Sequence, residues 1–196
     1  MIKEDFLKKL KDDYRQHEVE RRQIIAAAND LLFEAKKTIF SLQRNDQVSA
    51  SEKLTKIEDG LKSLKERFGS ARLNEEGSYK AAVEEYLEAK TFQQATNGQE
   101  IEASQGLELG SESYLGGICD LIGELVRFAT NQAAGGNFDA VYKTKESADK
   151  LMEQLLDFDM TGYLRTKYDQ ARGHLRKLEQ MAYEIRVHIG NDAEEK

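Results

Sequence analysis

The 196-residue chain contains no proline, and that absence constrains its fold more than any other feature. Proline interrupts helices and punctuates turns, so its complete loss suits long unbroken helices and argues against Pro-rich, collagen-like and typical sandwich architectures. Apolar residues bear this out. Phe6, Leu7 and Leu10, then Ile24, Ile25, Ala28, Leu31, Leu32, Ala35, Ile39 and Leu42 recur at helical spacing. They predict one helix over residues 2–43, or two in line. At 1.5 Å per residue such a helix is roughly 60 Å long, too long for a monomer of this size to cover its apolar stripe. A partner subunit is the simplest cover.

Further helices are expected over residues 51–68, with Ser51 as N-cap and Gly69 as the stop, and over residues 76–96, ending at Asn97-Gly98. Residues 99–110 lack periodicity and read as a loop. Helices follow over 111–134, 145–158 and 163–189, the last carrying Tyr168, Leu175, Leu178, Ala182, Ile185 and Ile189. No β-branched alternating run is bounded by turns, so no strand is expected. The fold class is an all-α bundle of six or seven helices, read as a single domain over 1–196.

Several function classes drop out at this stage. A single cysteine excludes an intramolecular disulfide framework and a multi-cysteine zinc site. The longest uncharged apolar run, around Tyr114 to Cys119, falls far short of the ~20 residues that span a bilayer, and MIKEDFLKKLKDDYRQ lacks the apolar core of a secretory signal. A soluble, cytoplasmic protein of a reducing compartment, with no membrane partner, is expected. Neither a Walker A sequence nor Gly-x-Gly-x-x-Gly occurs, so nucleotide-dependent chemistry has no support.

Charge is concentrated in one place. Residues 75–125 carry 11 acidic and 2 basic side chains, whereas the chain as a whole has a net charge of −7. Such a balance is a poor starting point for gripping phosphates. Within this stretch SYLGGICDLIGELVRFATN forms a helix that is apolar around most of its girth, leaving a stripe of Gly116, Gly117, Asp120, Gly123, Glu124 and Arg127. Asp120 and Glu124, four apart, project from one side, and the glycines let a backbone or ligand come close. An interior carboxylate costs several kcal/mol unless it is paired or metal-bound.

The preceding helix, in AAVEEYLEAKTFQQ, carries a second acid set. Glu85 and Glu88 are three apart and Glu84 and Glu88 four apart, so either pair shares a face. If the two helices pack, Glu85, Glu88, Asp120 and Glu124 converge. All-oxygen ligation suits Mg²⁺ or Mn²⁺ better than Zn²⁺, and fits metal-assisted phosphodiester hydrolysis. The competing reading spends the same acids on structural ion pairs, such as Asp120 or Glu124 with Arg127. A di-iron bundle requires Glu-x-x-His motifs, which His17, His174 and His188 do not form. Cys119 lies on the apolar face, where a buried small hydrophobe is the default.

Four stretches carry a family resemblance: FEAKKTIFSLQR, EEYLEAKTFQ, YLGGICDLIGELVRFATN followed by GGNFD, and LRKLEQMAYEIRVHIG. With them the chain resembles the translin family along nearly its whole length, and within it the translin-associated factor X (TRAX) branch. The resemblance implies a seven-helix subunit with a long N-terminal helix, assembled into a closed, hollow octamer that binds single-stranded RNA or DNA. In the TRAX branch it implies Mg²⁺-dependent RNA cleavage. The family's catalytic, metal-holding acids fall on Glu85, Glu88, Asp120 and Glu124. Translin, the binding-only partner in the two-subunit eukaryotic enzyme, supplies a basic, histidine-containing stretch just before the third helix. Here that stretch reads RLNEEGSYK, offering Arg72 and Lys80 beside Glu75 and Glu76.

The expected activity is therefore a single-strand-preferring endoribonuclease in a homo-oligomeric shell, with a different partner subunit left open. Arg72, Lys80 and Arg127 are the nucleic-acid contacts singled out. Arg15, Arg21, Arg22, Lys62, Lys65, Arg67, Arg165, Lys167, Arg172 and Arg176 are further phosphate contacts or, equally, solvated helix faces. The alternative function is a non-catalytic, translin-like scaffold for single-stranded RNA or DNA.

Overall fold

The computed structural model describes residues 1–194, with side chains through His188. Six helices and no strand occur among the described residues: α1 (Glu4–Gln43), α2 (Gln47–Leu73), α3 (Gly77–Thr96), α4 (Ser111–Ala134), α5 (Phe138–Leu155) and α6 (Gly162–Glu194). None of them is long and apolar enough to cross a membrane. The expected long first helix is a single element of 40 residues. Its C-terminal half buries Ile24, Ala28, Ala35, Ile39 and Leu42, while Ile2, Phe6, Leu10, Tyr14 and Val19 stand exposed at its other end. Ile189 lies outside the described side chains.

Three of the boundaries that differ from expectation have a local reason. Asp46, not Ser51, caps α2, because its carboxylate accepts the Ser49 N–H at 3.1 Å and satisfies an otherwise orphaned donor. Ser51 sits inside the helix, where its hydroxyl donates to the Gln47 carbonyl at 2.8 Å. Gly69 interrupts α2 as expected, with φ 75° and ψ 151°, but the chain turns helical again as far as Leu73. Two helical stretches therefore meet at Gly69 within α2. Finally, α5 begins at Phe138, before the expected 145, since the Asn137 side chain accepts the Ala140 N–H and caps it there.

Packing places α1 against α2 and α3, α3 against α4, and α4 against both α5 and α6. The α3 and α4 backbones approach closely at Gly117. A Cβ there would lie 2.9 Å from Leu87 Cβ, 3.1 Å from the Glu88 nitrogen and 3.2 Å from the Glu84 carbonyl oxygen. Only glycine permits that approach, which brings the acid-bearing faces of the two helices together.

The loop over residues 99–110 is pinned. Buried Ser104 shares a hydrogen bond with the buried Tyr86 hydroxyl at 2.9 Å, and its N–H donates to the Tyr114 hydroxyl at 2.8 Å. Tyr86 also donates to Glu58 at 2.8 Å, and Lys90 donates to the same carboxylate at 3.0 Å. Burial, then the neighbouring Glu58 charge, holds the phenol well above its usual titration range. Leu107 is buried beneath the loop's end. Tyr86→Phe leaves buried partners unpaired and is expected to cost about 1–2 kcal/mol. Thermal unfolding reads that loss, and hydrogen exchange is expected to quicken over residues 99–110.

Candidate functional site

On α3, Ala82, Val83, Tyr86 and Leu87 turn into the core, which leaves Glu84, Glu85 and Glu88 on the face toward α4. On α4, Cys119, Leu121, Ile122 and Leu125 are buried, and Asp120 and Glu124 take the opposite course. The two acid sets meet. Glu85 and Glu88 each feel the charges of both Asp120 and Glu124. Asp120 stands between two openings, one of about 360 Å³ bordered by Lys80, Glu84, Glu85 and Lys167, the other of about 280 Å³ bordered by Glu88, Glu124, Arg127 and His174.

Crowding shows in the titration of these groups. Burial, then the charges of Asp120, Glu85 and Glu124, pushes the Glu88 carboxyl up to about 9. It therefore keeps a proton at neutral pH. Glu85 is raised by burial against the opposing pull of Lys36, and Asp120 is raised by burial against that of Lys167. Cys119 is buried and its thiol is pushed up to about 11, chiefly by burial, so the thiolate that a nucleophile needs does not form at neutral pH.

Residues from outside α3 and α4 complete the site. Lys167 of α6 donates to Asp120 and pairs with Glu84. Burial pulls the Lys167 ammonium down, but its hydrogen bonds to Asp120, Glu84 and Tyr163 outweigh this and hold it above its usual range. The Tyr163 hydroxyl donates to Glu84 at 2.6 Å. From α1, Gln43 donates to the Glu124 carboxylate at 2.7 Å and to its carbonyl at 3.0 Å, and accepts from Asn131 at 3.1 Å. Arg127 pairs with Glu124 at 3.5 Å. Asp120 and Glu124 are thus each engaged by a cation, Asp120 by Lys167 rather than by Arg127.

Among the described residues, no three of His, Cys, Asp and Glu stand gathered as a preformed metal site. In donor type and charge the set nonetheless fits a hard divalent cation, because all its ligands are oxygens and it holds more negative charge than Lys167 and a proton comfortably balance. Glu85, Glu88, Asp120 and Glu124 are the residues that could hold one.

The three expected nucleic-acid contacts separate. Exposed Lys80 borders one opening and half-exposed Arg127 the other. Arg72 does not reach either of them. Its side chain is only 12% exposed and pairs with Glu20 at 3.4 Å, Glu75 at 3.4 Å and Glu76 at 2.9 Å, besides donating to the His17 carbonyl. It ties α1 to the α2–α3 junction, and its guanidinium is spent on that role. Conversely, Tyr163, Gln43 and His174 had no signal in local spacing, and Lys167 looked like any other cation on an exposed face.

A model of the Translin family matches residues 19–189. No curated protein matches the sequence. Among solved structures, the crystal structure of AfC3PO superposes with a TM-score of 0.83 at 23% identity, covering 93% of this chain and 97% of that one. AfC3PO in complex with duplex RNA gives 0.82 at 22%, and apo-NeC3PO 0.80 at 23%, with the same two coverages. At such identities the likeness is one of fold.

Proposed function

The chain belongs to the Translin family, and from that premise we propose that it is a TRAX-like, Mg²⁺-dependent endoribonuclease acting on single-stranded RNA inside a hollow, octamer-like homo-oligomer. One observation carries the reading: Glu85 and Glu88 of α3 and Asp120 and Glu124 of α4 are half-buried against one another beside two openings that meet at Asp120, close enough that burial and their mutual charge raise the Glu88 carboxyl. Evolution of a fold purely for stability has no use for that arrangement, since replacing such a group with an apolar one is often neutral or favourable.

A divalent ion, Mg²⁺ or Mn²⁺, would neutralise phosphoryl charge and activate a water. Glu85, Glu88, Asp120 and Glu124 supply its oxygen ligands and a carboxylate to take the water's proton. Arg127 at one rim steadies Glu124 or a phosphate, and Lys80 at the other draws an anionic strand toward a site whose flanks are acidic. Gln43 fixes the orientation of Glu124.

Exposed apolar faces support the shell. Val19, Ala26, Phe33 and Phe40 follow one another at seven-residue spacing along α1 and are all exposed, the pattern of a helix that meets another helix. The stripe of Ile2, Phe6, Leu10 and Tyr14 extends the uncovered surface. Replacing Phe33 and Phe40 together by glutamate is expected to shift light scattering to a smaller assembly, with the helical circular dichroism of the subunit retained. An unchanged assembly would show that this seam is not an interface.

The second reading, a non-catalytic scaffold, is favoured by the ion pairs that already engage Asp120 and Glu124. Labelled single-stranded RNA and DNA, and duplex RNA because AfC3PO is solved with one, separate the two when incubated with Mg²⁺ or EDTA. Mg²⁺-dependent products from single-stranded RNA support the nuclease. Salt-sensitive binding without product at any metal concentration supports the scaffold.

A further inference from the structure

Lys167 is the one basic side chain, among the described residues, that pairs with Asp120 and Glu84. It reaches them from α6, across 47 residues of chain from Asp120, and its side chain is only 14% exposed. Tyr163, one turn earlier, donates to Glu84 at 2.6 Å and places its ring 5.2 Å from the ammonium. Gly116 lies directly against the Glu84 carboxylate, so a larger residue there would displace it. The ammonium is therefore seated in a built socket of two carboxylates, a phenol and an aromatic face.

From this geometry we infer that Lys167 is the internal counter-cation of the acid site, a positioning residue that holds Asp120 and Glu84 in the metal-free protein and gives up Asp120 when a divalent ion enters. The inference rests on the metal-dependent reading of the site. An ammonium already bonded to the Asp120 carboxylate and a divalent ion on that carboxylate would be like charges a few ångströms apart, which repel strongly in a half-buried setting. Occupation of Asp120 is then an exchange of one cation for another. Lys167 lowers the affinity for the ion, while keeping the empty site from carrying its acids uncompensated.

The test uses the full chain without nucleic acid and Mg²⁺ alone as the probe. Calorimetric titration of Lys167→Met, which keeps the stem and removes the charge, is expected to show Mg²⁺ binding about tenfold tighter than wild type. Lys167→Arg, which keeps the charge, is expected to stay within about twofold of wild type. In parallel, amine acylation of the wild-type protein read by mass spectrometry is expected to find Lys167 protected in EDTA and several-fold more reactive in Mg²⁺, a readout that needs no variant to fold. Equal or weaker binding by Lys167→Met, or Lys167 reactivity indifferent to Mg²⁺, overturns the inference while wild-type binding leaves the metal site standing. Absence of Mg²⁺ binding by every form overturns both.

Discussion

Glu88→Gln is expected to cut Mg²⁺-dependent RNA cleavage by roughly 10²–10³-fold or more and, without metal, to make the protein more stable. Both effects have one cause. The folded chain holds the Glu88 carboxyl up to about 9, chiefly through burial, against an ordinary value of 4.5. A carboxyl raised in the folded state contributes its stability below the unfolded value, and that contribution is lost as pH rises toward the folded one. Wild-type stability should therefore fall between about pH 5 and 9. At pH 7, keeping a proton that the unfolded chain sheds costs on the order of 3 kcal/mol. Glutamine mimics the protonated form and avoids that cost.

Thermal unfolding at pH 5, 7 and 9, in EDTA and in Mg²⁺, separates the two contributions. The variant should melt higher than wild type in EDTA at pH 7, show a flatter pH dependence, and gain less from Mg²⁺. A variant that keeps full cleavage, or that melts lower without metal, would remove Glu88 from the site.

Gly117→Val is the second large effect, this time on architecture. The atoms that a Cβ would strike include the Glu88 nitrogen and the Glu84 carbonyl oxygen of α3, which are backbone and cannot rotate away. Accommodation requires α3 and α4 to separate. Overpacking of this kind costs about 2–3 kcal/mol or more, and it displaces Glu84 and Glu88 from Asp120, so cleavage should fall with stability. Gly123→Ala is the control on the same helix, since its Cβ would meet the His174 ring at 3.5 Å, an ordinary contact. Chemical denaturation of both variants is the measurement. A Gly117→Val protein as stable as wild type would mean that the close approach does not hold the two helices.

What sequence alone could reveal divides along a physical line. Periodicity and the missing proline report interactions between residues three and four apart, so the long first helix and the facing acids of Glu85, Glu88, Asp120 and Glu124 could be read before any fold was known. Helix starts depend instead on which side chain captures an orphaned N–H. Asp46 and Asn137 do so, upstream of the starts expected at 51 and 145. Contacts across the bundle have no local signature at all. Lys167 and Asp120 are 47 residues apart, and Gln43 and Glu124 are 81 apart, so the partners that orient the acids emerged only in three dimensions. Arg72 shows the converse: a cation that spacing left free for phosphate is enclosed by Glu20, Glu75 and Glu76.

The most direct measurement is anomalous diffraction from crystals of the full chain soaked in Mn²⁺. The expected result is a peak between α3 and α4 within about 2.2 Å of oxygens from Glu85, Glu88, Asp120 and Glu124, weakened or lost in Asp120→Asn. Mn²⁺ bound only elsewhere, with those four carboxylates unmoved and Lys167 still on Asp120, would contradict a divalent-metal site there.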